Sequence, residues 1–433
     1  MDLVKYPEYK DSGAEVIDDI PKSWETHNMK FLIESIESGK REDVIDKKYA
    51  FSIGGEHINW NGSLNLKNER YVSKDFYNNL NKGKIKLNDV LLVKDGATIG
   101  KTAFISDKPF EKMAVNEHVF IIRSNDMILP KLLYYLVRSN LGFMQIKLTE
   151  NGSAQGGINS SFPSDVYFPV CDELSTQYKI ANYLDNKIAK IDKTIEINQK
   201  LIELLEEKRV ALINQVVTKG LNPDVEMKYS GIEWFGKIPE HWDIGLLKYL
   251  AELLNNKQEF ANKSDKYIGL ENIESKSGRL LGYSTNGTDG SVNKFQKENI
   301  LFGKLRPYLS KVIIAPFDGV CSTEILVYSP NDNILTKFLF YYMLSNRFIE
   351  IVNSTTYGVK MPRASQDIIN NMSILIPPLT EQKQIVNYLD NKIANLNRTK
   401  EKIEEQINLL EEYKESLIYN VVTGKVDVRG EDI

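Results

Sequence analysis

The stretch N-Y-L-D-N-K-I-A, residues Asn182 to Ala189, returns unchanged at Asn387 to Ala394. The offset is 387 − 182 = 205. The register holds through Leu204-Leu205-Glu206-Glu207 against Leu409-Leu410-Glu411-Glu412, and through Val216-Val217-Thr218 against Val421-Val422-Thr423. Shared helical composition produces weak self-similarity, but not an identical run of this length. Internal duplication at such a spacing decides the architecture before any local reading does.

Working outward, a second match opens each copy. Ser12, Gly13, Glu15, Ile20, Pro21 and Trp24 face Ser230, Gly231, Glu233, Ile238, Pro239 and Trp242, at an offset of 230 − 12 = 218. The fall from 218 to 205 places a net deletion of 218 − 205 = 13 residues inside the second copy. The ends of the unit are kept and its interior has drifted.

From Leu184 the pattern steps by fours and threes through Ile188, Ile191, Ile195, Asn198, Ile202, Leu205, Arg209, Leu212 and Val216. Its repeat runs Leu389, Ile393, Leu396, Lys400, Ile403, Ile407, Leu410, Lys414, Leu417 and Val421. That heptad seam predicts two long helices that pair as a coiled coil. At about 40 residues each they span on the order of 60 Å. Ser175 and Thr380 are read as N-caps, Pro169, Pro377 and Pro378 as stops before the helices, and Gly220 and Gly424 as their ends. The polar seam positions Asn198, Arg209, Lys400 and Lys414 either fix register or mark fraying. An antiparallel pair would carry one globular part at each end, with an approximate twofold axis.

The remaining segments read as mixed α and β. Residues 89–94 match 299–304, and 119–123 match 325–328, as strands; 129–138 match 335–344 as amphipathic helices. The expected class is therefore α+β, with two globular α/β domains and two long antiparallel helices in a pseudo-twofold repeat. Its divisions are 1–172, 173–220, 221–378 and 379–433.

Charge gives little global help. The net charge is −4 and the pI about 5.8, without the basic excess usual for nucleic-acid binders. The loops are locally basic, however. G-A-T-I-G-K (Gly96 to Lys101) and G-K-L-R-P-Y-L-S-K (Gly303 to Lys311) follow the matched strands. A second surface is residues 151–157, matched by 357–363. Lysine and arginine on such loops reach phosphates and guanine edges, and glutamine pairs with adenine. The candidate DNA contacts are Lys94, Thr98, Lys101 and Gln155 in the first copy. In the second they are Lys304, Arg306, Tyr308, Lys311, Tyr357, Lys360 and Arg363. The bland alternative for any one of them is a solvated surface charge.

Catalytic signatures do not surface. G-A-T-I-G-K lacks the spacing of a phosphate loop, and no nucleophile elbow or Asp-Pro-Pro-Tyr-like methylating motif appears. Asp224, Glu226 and Lys228 crowd one linker instead of converging from separate strands. Two cysteines and four scattered histidines argue against a disulfide framework or a zinc centre. No metal and no catalytic residue is assigned to this chain. The first residues are acidic and unlike a secretion signal, no run is long and apolar enough for a membrane span, and the expected compartment is the cytoplasm.

These residues resemble the specificity subunits of type I restriction–modification enzymes. The likeness rests on Ser230 to Trp242, the two glycine-bearing loops, S-T-E-I-L-V (Ser322 to Val327), I-P-P-L-T-E-Q-K-Q-I (Ile376 to Ile385) and the repeated helices. The first copy departs from it, reading F-P-V-C-D-E-L-S-T-Q at Phe168 to Gln177. The resemblance implies a non-catalytic subunit whose two target-recognition domains each read half of a split site in double-stranded DNA. It implies a helical spacer that docks two methyltransferase subunits, and restriction (motor) subunits that complete the complex. S-adenosylmethionine, ATP and Mg would sit on those partners. A stand-alone nuclease and a coiled-coil assembly scaffold are the alternatives.

Overall fold

Strand pairs form where the sequence alternates between two apolar faces. The computed structural model describes residues 4–42, 48–150, 156–259, 265–285, 290–358 and 360–431. Six helices matter here: α1 (Pro130–Arg138), α2 (Asn140–Leu148), α3 (Leu174–Lys219), α4 (Thr336–Leu344), α5 (Asn346–Ser354) and α6 (Leu379–Val422). The chain forms two compact units. One comprises residues 1–197 and 405–433, the other residues 198–404, so each boundary falls inside a long helix.

In the first unit an antiparallel sheet runs Ile33–Ser38, Val119–Ser124, Val90–Val93, Thr102–Phe104. Val90–Val93 and the first four residues of Val119–Ser124, its central strands, are apolar throughout because both faces are covered. Val90, Leu92, Phe120 and Ile122 pack towards α1 and the long helices. Leu91, Val93, Val119 and Ile121 pack against an outer sheet that contains Ala50–Ile53 and Met113–Val115. Period-two side-chain alternation turns one four-residue strand into the wall of two cores. The second unit repeats this with Ala251–Leu254, Ile325–Pro330, Ile300–Gly303 and Val312–Ile314. Its outer sheet gains the strands Lys257–Glu259 and Ser291–Phe295.

Matched positions locate the sequence drift. Gly62 and Gly278 share a left-handed turn (φ +86° and +76°) against the helix residues Tyr134 and Phe340, at an offset of 278 − 62 = 216. Val90 and Ile300 stand 300 − 90 = 210 apart, and Val119 and Ile325 stand 325 − 119 = 206 apart. Most of the deletion therefore lies around the outer sheet and the turn after the central hairpin. The cores that carry the helices keep their spacing.

In each unit half of α3 packs on half of α6. Ile180, Leu184, Ile188, Ile191 and Ile195 share a core with Leu417, Ile418, Val421 and Val422. In the other unit Ile213, Val216 and Val217 share one with Ile385, Leu389 and Ile393. Lys414 bonds Asp192 at 2.7 Å, and Lys400 bonds Glu206 at 2.8 Å. Moving up α3 from 192 to 206 moves down α6 from 414 to 400, which makes the pairing antiparallel. Two of the polar seam residues thus form interhelical charge pairs.

The repeated motif is explained by what its aspartate holds. Asp185 accepts from the Tyr135 hydroxyl at 2.5 Å and pairs with Lys131 at 3.1 Å, both on α1. Asp390 does the same with Tyr341 (2.7 Å) and Lys337 (2.6 Å) on α4. Burial and the neighbouring carboxylate push both phenols up, so they remain donors. A second repeated device is a buried glutamine. Gln177 accepts from Leu129 N–H at 2.9 Å and donates to Met127 O (2.9 Å) and Cys171 O (2.7 Å). Gln382 makes the equivalent bonds to Leu335 N–H (2.8 Å), Asn333 O (3.2 Å) and Pro377 O (2.9 Å).

Three local expectations need correction. The long helices begin at Leu174 and Leu379, so Ser175 and Thr380 sit inside the first turn and are not caps. Ser175 instead donates to the Glu173 carboxylate at 2.5 Å. Pro169 does not stop a segment: it lies within the strand Tyr167–Cys171, opposite Thr26 in a two-stranded pairing where a missing N–H is tolerated. The glycine ends do hold, with Gly220 and Gly424 left-handed at φ +74° and +71°. A Cβ on Gly424 would come within 2.4 Å of Pro21, and one on Gly220 within 3.3 Å of Trp242. The repeated Pro-x-x-Trp therefore packs over a helix terminus in both units.

Candidate nucleic-acid interface

The loop that leaves Val90–Val93 is closed by its own backbone. Gly100 N–H donates to Val93 O (3.0 Å), Val93 N–H to Lys101 O (2.8 Å) and Ile99 N–H to Gly96 O (3.3 Å). Gly96 and Gly100 take φ +78° and +94°, where glycine is free of the Cβ penalty. The loop then docks on the other candidate segment: Gly96 N–H donates to Gly156 O (3.2 Å), and Ile158 N–H to Lys94 O (2.7 Å).

The second unit reproduces four of these bonds, while Ser310 N–H, at the place of Gly100, donates to Pro307 O (2.8 Å) instead. Gly303 N–H donates to Lys311 O (2.9 Å) and Leu309 N–H to Arg306 O (2.9 Å). Arg306 N–H donates to Pro362 O (2.7 Å), and Ala364 N–H to Lys304 O (3.0 Å). Lys94, Gly96, Thr98, Gly100 and Lys101 thereby occupy the positions of Lys304, Arg306, Tyr308, Ser310 and Lys311. In the second unit the two surfaces read separately from the sequence form one; in the first, Gly156 and Gly157, the described end of the second surface, lie against the same loop. Where the first copy has glycine at its left-handed positions, the second has Arg306 (φ 50°, ψ 60°) and Ser310 (φ 48°, ψ 51°). Such outliers are uncommon and concentrate at functional sites.

The candidate side chains differ in availability. Lys94 is half-buried with its ammonium 5.2 Å from the Phe120 ring centre, and Thr98 is half-buried. Lys101 lies 5.8 Å from the ring of Trp60, which is 56% exposed. Gln155 lies outside the described residues. Lys304 and Arg306 are half-buried, and the Arg306 Nε is buried without a hydrogen-bond partner. Tyr308 and Tyr357 are 45% and 63% exposed, and Lys360 is exposed. Lys311 spends its ammonium on Leu270 O at 2.5 Å, a structural bond. Arg363 pairs with Glu324 at 3.1 Å and closes a turn in which Tyr357 and Arg363 exchange backbone bonds of 3.1 and 3.0 Å.

Sequence reasoning missed Trp60, His118 and the segment from Leu270 to Ser277. His118 sits at the loop through Asp95 (2.6 Å) and gives its carbonyl to Lys94 N–H (3.0 Å). An indole exposed in a polar N-W-N-G stretch was the one available signal; the others depend on tertiary pairing. Both cysteines are buried, and burial pushes the Cys321 thiol up to about 12. Among the described residues no group of three His, Cys, Asp or Glu could hold a metal ion. No helix there is long and apolar enough to cross a membrane.

A cleft recurs in both units away from these loops. In one it is lined by Val16, Leu148, Thr149 and Tyr167, with a volume of 570 Å³. In the other the matched positions are Trp234, Ser354, Thr355 and Ser373, with a volume of 710 Å³.

Residues 21–207 and 239–409 match the family model of the type I restriction modification DNA specificity domain. The chain belongs to that family. It is 24% identical over 348 residues to the Escherichia coli type I restriction enzyme EcoDI specificity subunit, covering 76% of this chain and 77% of that one. It is 24% identical over 429 residues to the putative MjaX specificity subunit of Methanocaldococcus jannaschii, covering 95% and 96%. A chain solved in work on assembly and conformational transition of the type I R-M system matches with a TM-score of 0.71 at 14% identity, over 94% of this chain and 99% of that one. The HsdS subunit from Thermoanaerobacter tengcongensis matches with a TM-score of 0.54 at 14% identity, over 94% and 98%.

Proposed function

We propose that this chain is the DNA sequence-reading subunit of a type I restriction–modification complex, each unit reading one half of a bipartite site. One observation carries the reading. Four matched backbone bonds hold an equivalent loop in both units, while the side chains on it differ (Gly96 against Arg306, Thr98 against Tyr308). A kept frame with changed side chains is what two unlike half-sites require, because base edges are discriminated by side-chain donors and acceptors. The proposed contacts are the exposed or half-buried members of that surface: Lys94, Thr98 and Lys101, and Lys304, Arg306, Tyr308, Tyr357, Lys360 and Arg363. Gln155 joins them on its sequence position alone, and Lys311 supports the loop from below.

The chain itself is non-catalytic in this reading, and works in the cytoplasm. Two methyltransferase subunits bring S-adenosylmethionine, and restriction subunits bring the ATP- and Mg-dependent steps. The duplicated frame, its repeated clefts included, supports a pair of like partners: whatever surface one finds on the first unit, the other finds on the second. The long helices set the gap between half-sites, which their uninterrupted runs of 46 and 44 residues support.

The test uses the complex assembled with its partners. Replacing Lys304, Arg306 and Arg363 by alanine should relax methylation specificity at one half-site and leave the other intact. Uniform weakening across all sequences would mark these residues as phosphate contacts only. Magnesium-dependent cleavage by the purified chain alone would favour the nuclease alternative.

A further inference from the structure

The second unit ties its recognition loop to a long helix through one side chain. Arg209 stands on α3 at a seam position where an apolar residue is expected, and it is buried. Its guanidinium leaves the helix pair for the globular part. Nη1 donates to Lys276 O at 2.7 Å and Nη2 to Ser277 O at 2.5 Å, with the Glu206 carboxylate 3.8 Å away. Burial pulls its pKa below the usual arginine value, against the pull of Glu206, Tyr341 and Glu274. Arginine remains charged through such a shift, so a buried cation is committed to two carbonyls of one turn.

That turn in turn carries the recognition loop. Lys276 N–H is shared between Leu309 O (3.0 Å) and Ser310 O (3.2 Å). Lys276 is itself left-handed at φ 61°, and two residues on, a Cβ on Gly278 would come within 2.5 Å of Phe340. Beneath the loop a 190 Å³ cavity is lined by Val210 and Ile213 of α3 together with Tyr308 and Ser310. Arg306 and Ser310 occupy costly left-handed conformations, which persist only where the surroundings over-determine them. The footing that does so here runs from α3 through Arg209 to the turn at 276–277 and on to 309–310. At the repeat-equivalent position, Lys414 bonds Asp192 on the other long helix instead.

We propose that Arg209 is a positioning residue for DNA reading by the second unit, holding the Arg306–Ser310 loop in its binding shape from the helix that sets the spacer. The proposal rests on the reading that this loop contacts DNA.

The experiment measures methylation kcat/KM for the assembled complex on the cognate duplex and on duplexes with one base pair changed in either half-site. Arg306→Ala identifies which half-site belongs to the second unit. Arg209→Met keeps a stem of similar length and removes both donors. Discrimination at that half-site should fall about tenfold, with the other half-site unchanged within about twofold. Arg209→Lys, which offers a point charge instead of a fork, should lose about threefold. Lys414→Met should lower thermal stability while leaving both discrimination ratios alone. Equal losses at both half-sites, or none at either, overturn the proposal. If Arg209→Met fails to assemble, an unchanged ratio in Arg209→Lys overturns it. If Arg306→Ala and Lys304→Ala leave both half-sites unaffected, the reading of the loop fails and the proposal with it. If those two act and Arg209→Met is silent, only the link fails.

Discussion

Replacing Arg306 with glycine should stabilise the protein and cripple its DNA reading at once. Arg306 sits at φ 50°, ψ 60°, and the matched residue of the first unit is Gly96 at φ +78°. A left-handed conformation costs an L-residue about 1–2 kcal/mol. Glycine gives back about 0.5–1 kcal/mol of that through the greater entropy of the unfolded chain. Removing the buried, unpartnered Nε adds on the order of 1 kcal/mol. The balance favours Arg306→Gly by about 1–2.5 kcal/mol, a rise of roughly 2–10 °C in the midpoint for a unit of this size. Loss of one arginine contact to a base edge costs about 1–3 kcal/mol, or roughly 5- to 150-fold in specific binding. Calorimetry on the chain and methylation kinetics on the assembled complex read the two effects separately. Arg306→Ala is the control: it should lose the same DNA reading and gain less stability, because it keeps a Cβ in the strained conformation. A destabilised Arg306→Gly, or one with full cognate activity and unrelaxed specificity, would refute the assignment of this strain to function.

Gln177→Met and Gln382→Met each remove the side-chain partner of three backbone groups, one buried and two part-buried, and should cost about 1–3 kcal/mol in the unit concerned, read from denaturant midpoints. Acid should loosen the terminal segment. A side-chain bond from Arg429, reinforced by its backbone N–H, holds the Asp427 carboxyl below its ordinary value of 3.8. A depressed carboxylate contributes stability above its unfolded pKa that is lost as pH falls through the folded one. The thermal midpoint should therefore drop from about pH 4 downwards, and Arg429→Ala should flatten that limb; an unchanged acid limb in the variant would remove Asp427 from the account.

What the sequence made legible was the repeat and its frame. The N-Y-L-D-N-K-I-A identity marks the aspartate that grips a tyrosine and a lysine on a neighbouring helix, and both are fixed by helical spacing. The strand pairs and amphipathic helices fell where their periodicities put them. Arg209 did not reveal its role, because a seam position predicts an interhelical neighbour and its partners are carbonyls 67 and 68 residues away. Two candidate surfaces were visible, but not their union: backbone bonds such as Ile158 N–H to Lys94 O are tertiary and leave no trace in composition. Pro169 misled because a proline reads as a break unless the strand is known to lie at an edge.

Single-molecule methylation sequencing of a host that carries this chain with its partner subunits tests the central claim most directly. The account predicts one bipartite motif, two unlike half-sites at a fixed gap, with a single half-site relaxed in the Lys304, Arg306 and Arg363 alanine variant. An uninterrupted motif, or relaxation of both half-sites together in that variant, would contradict it.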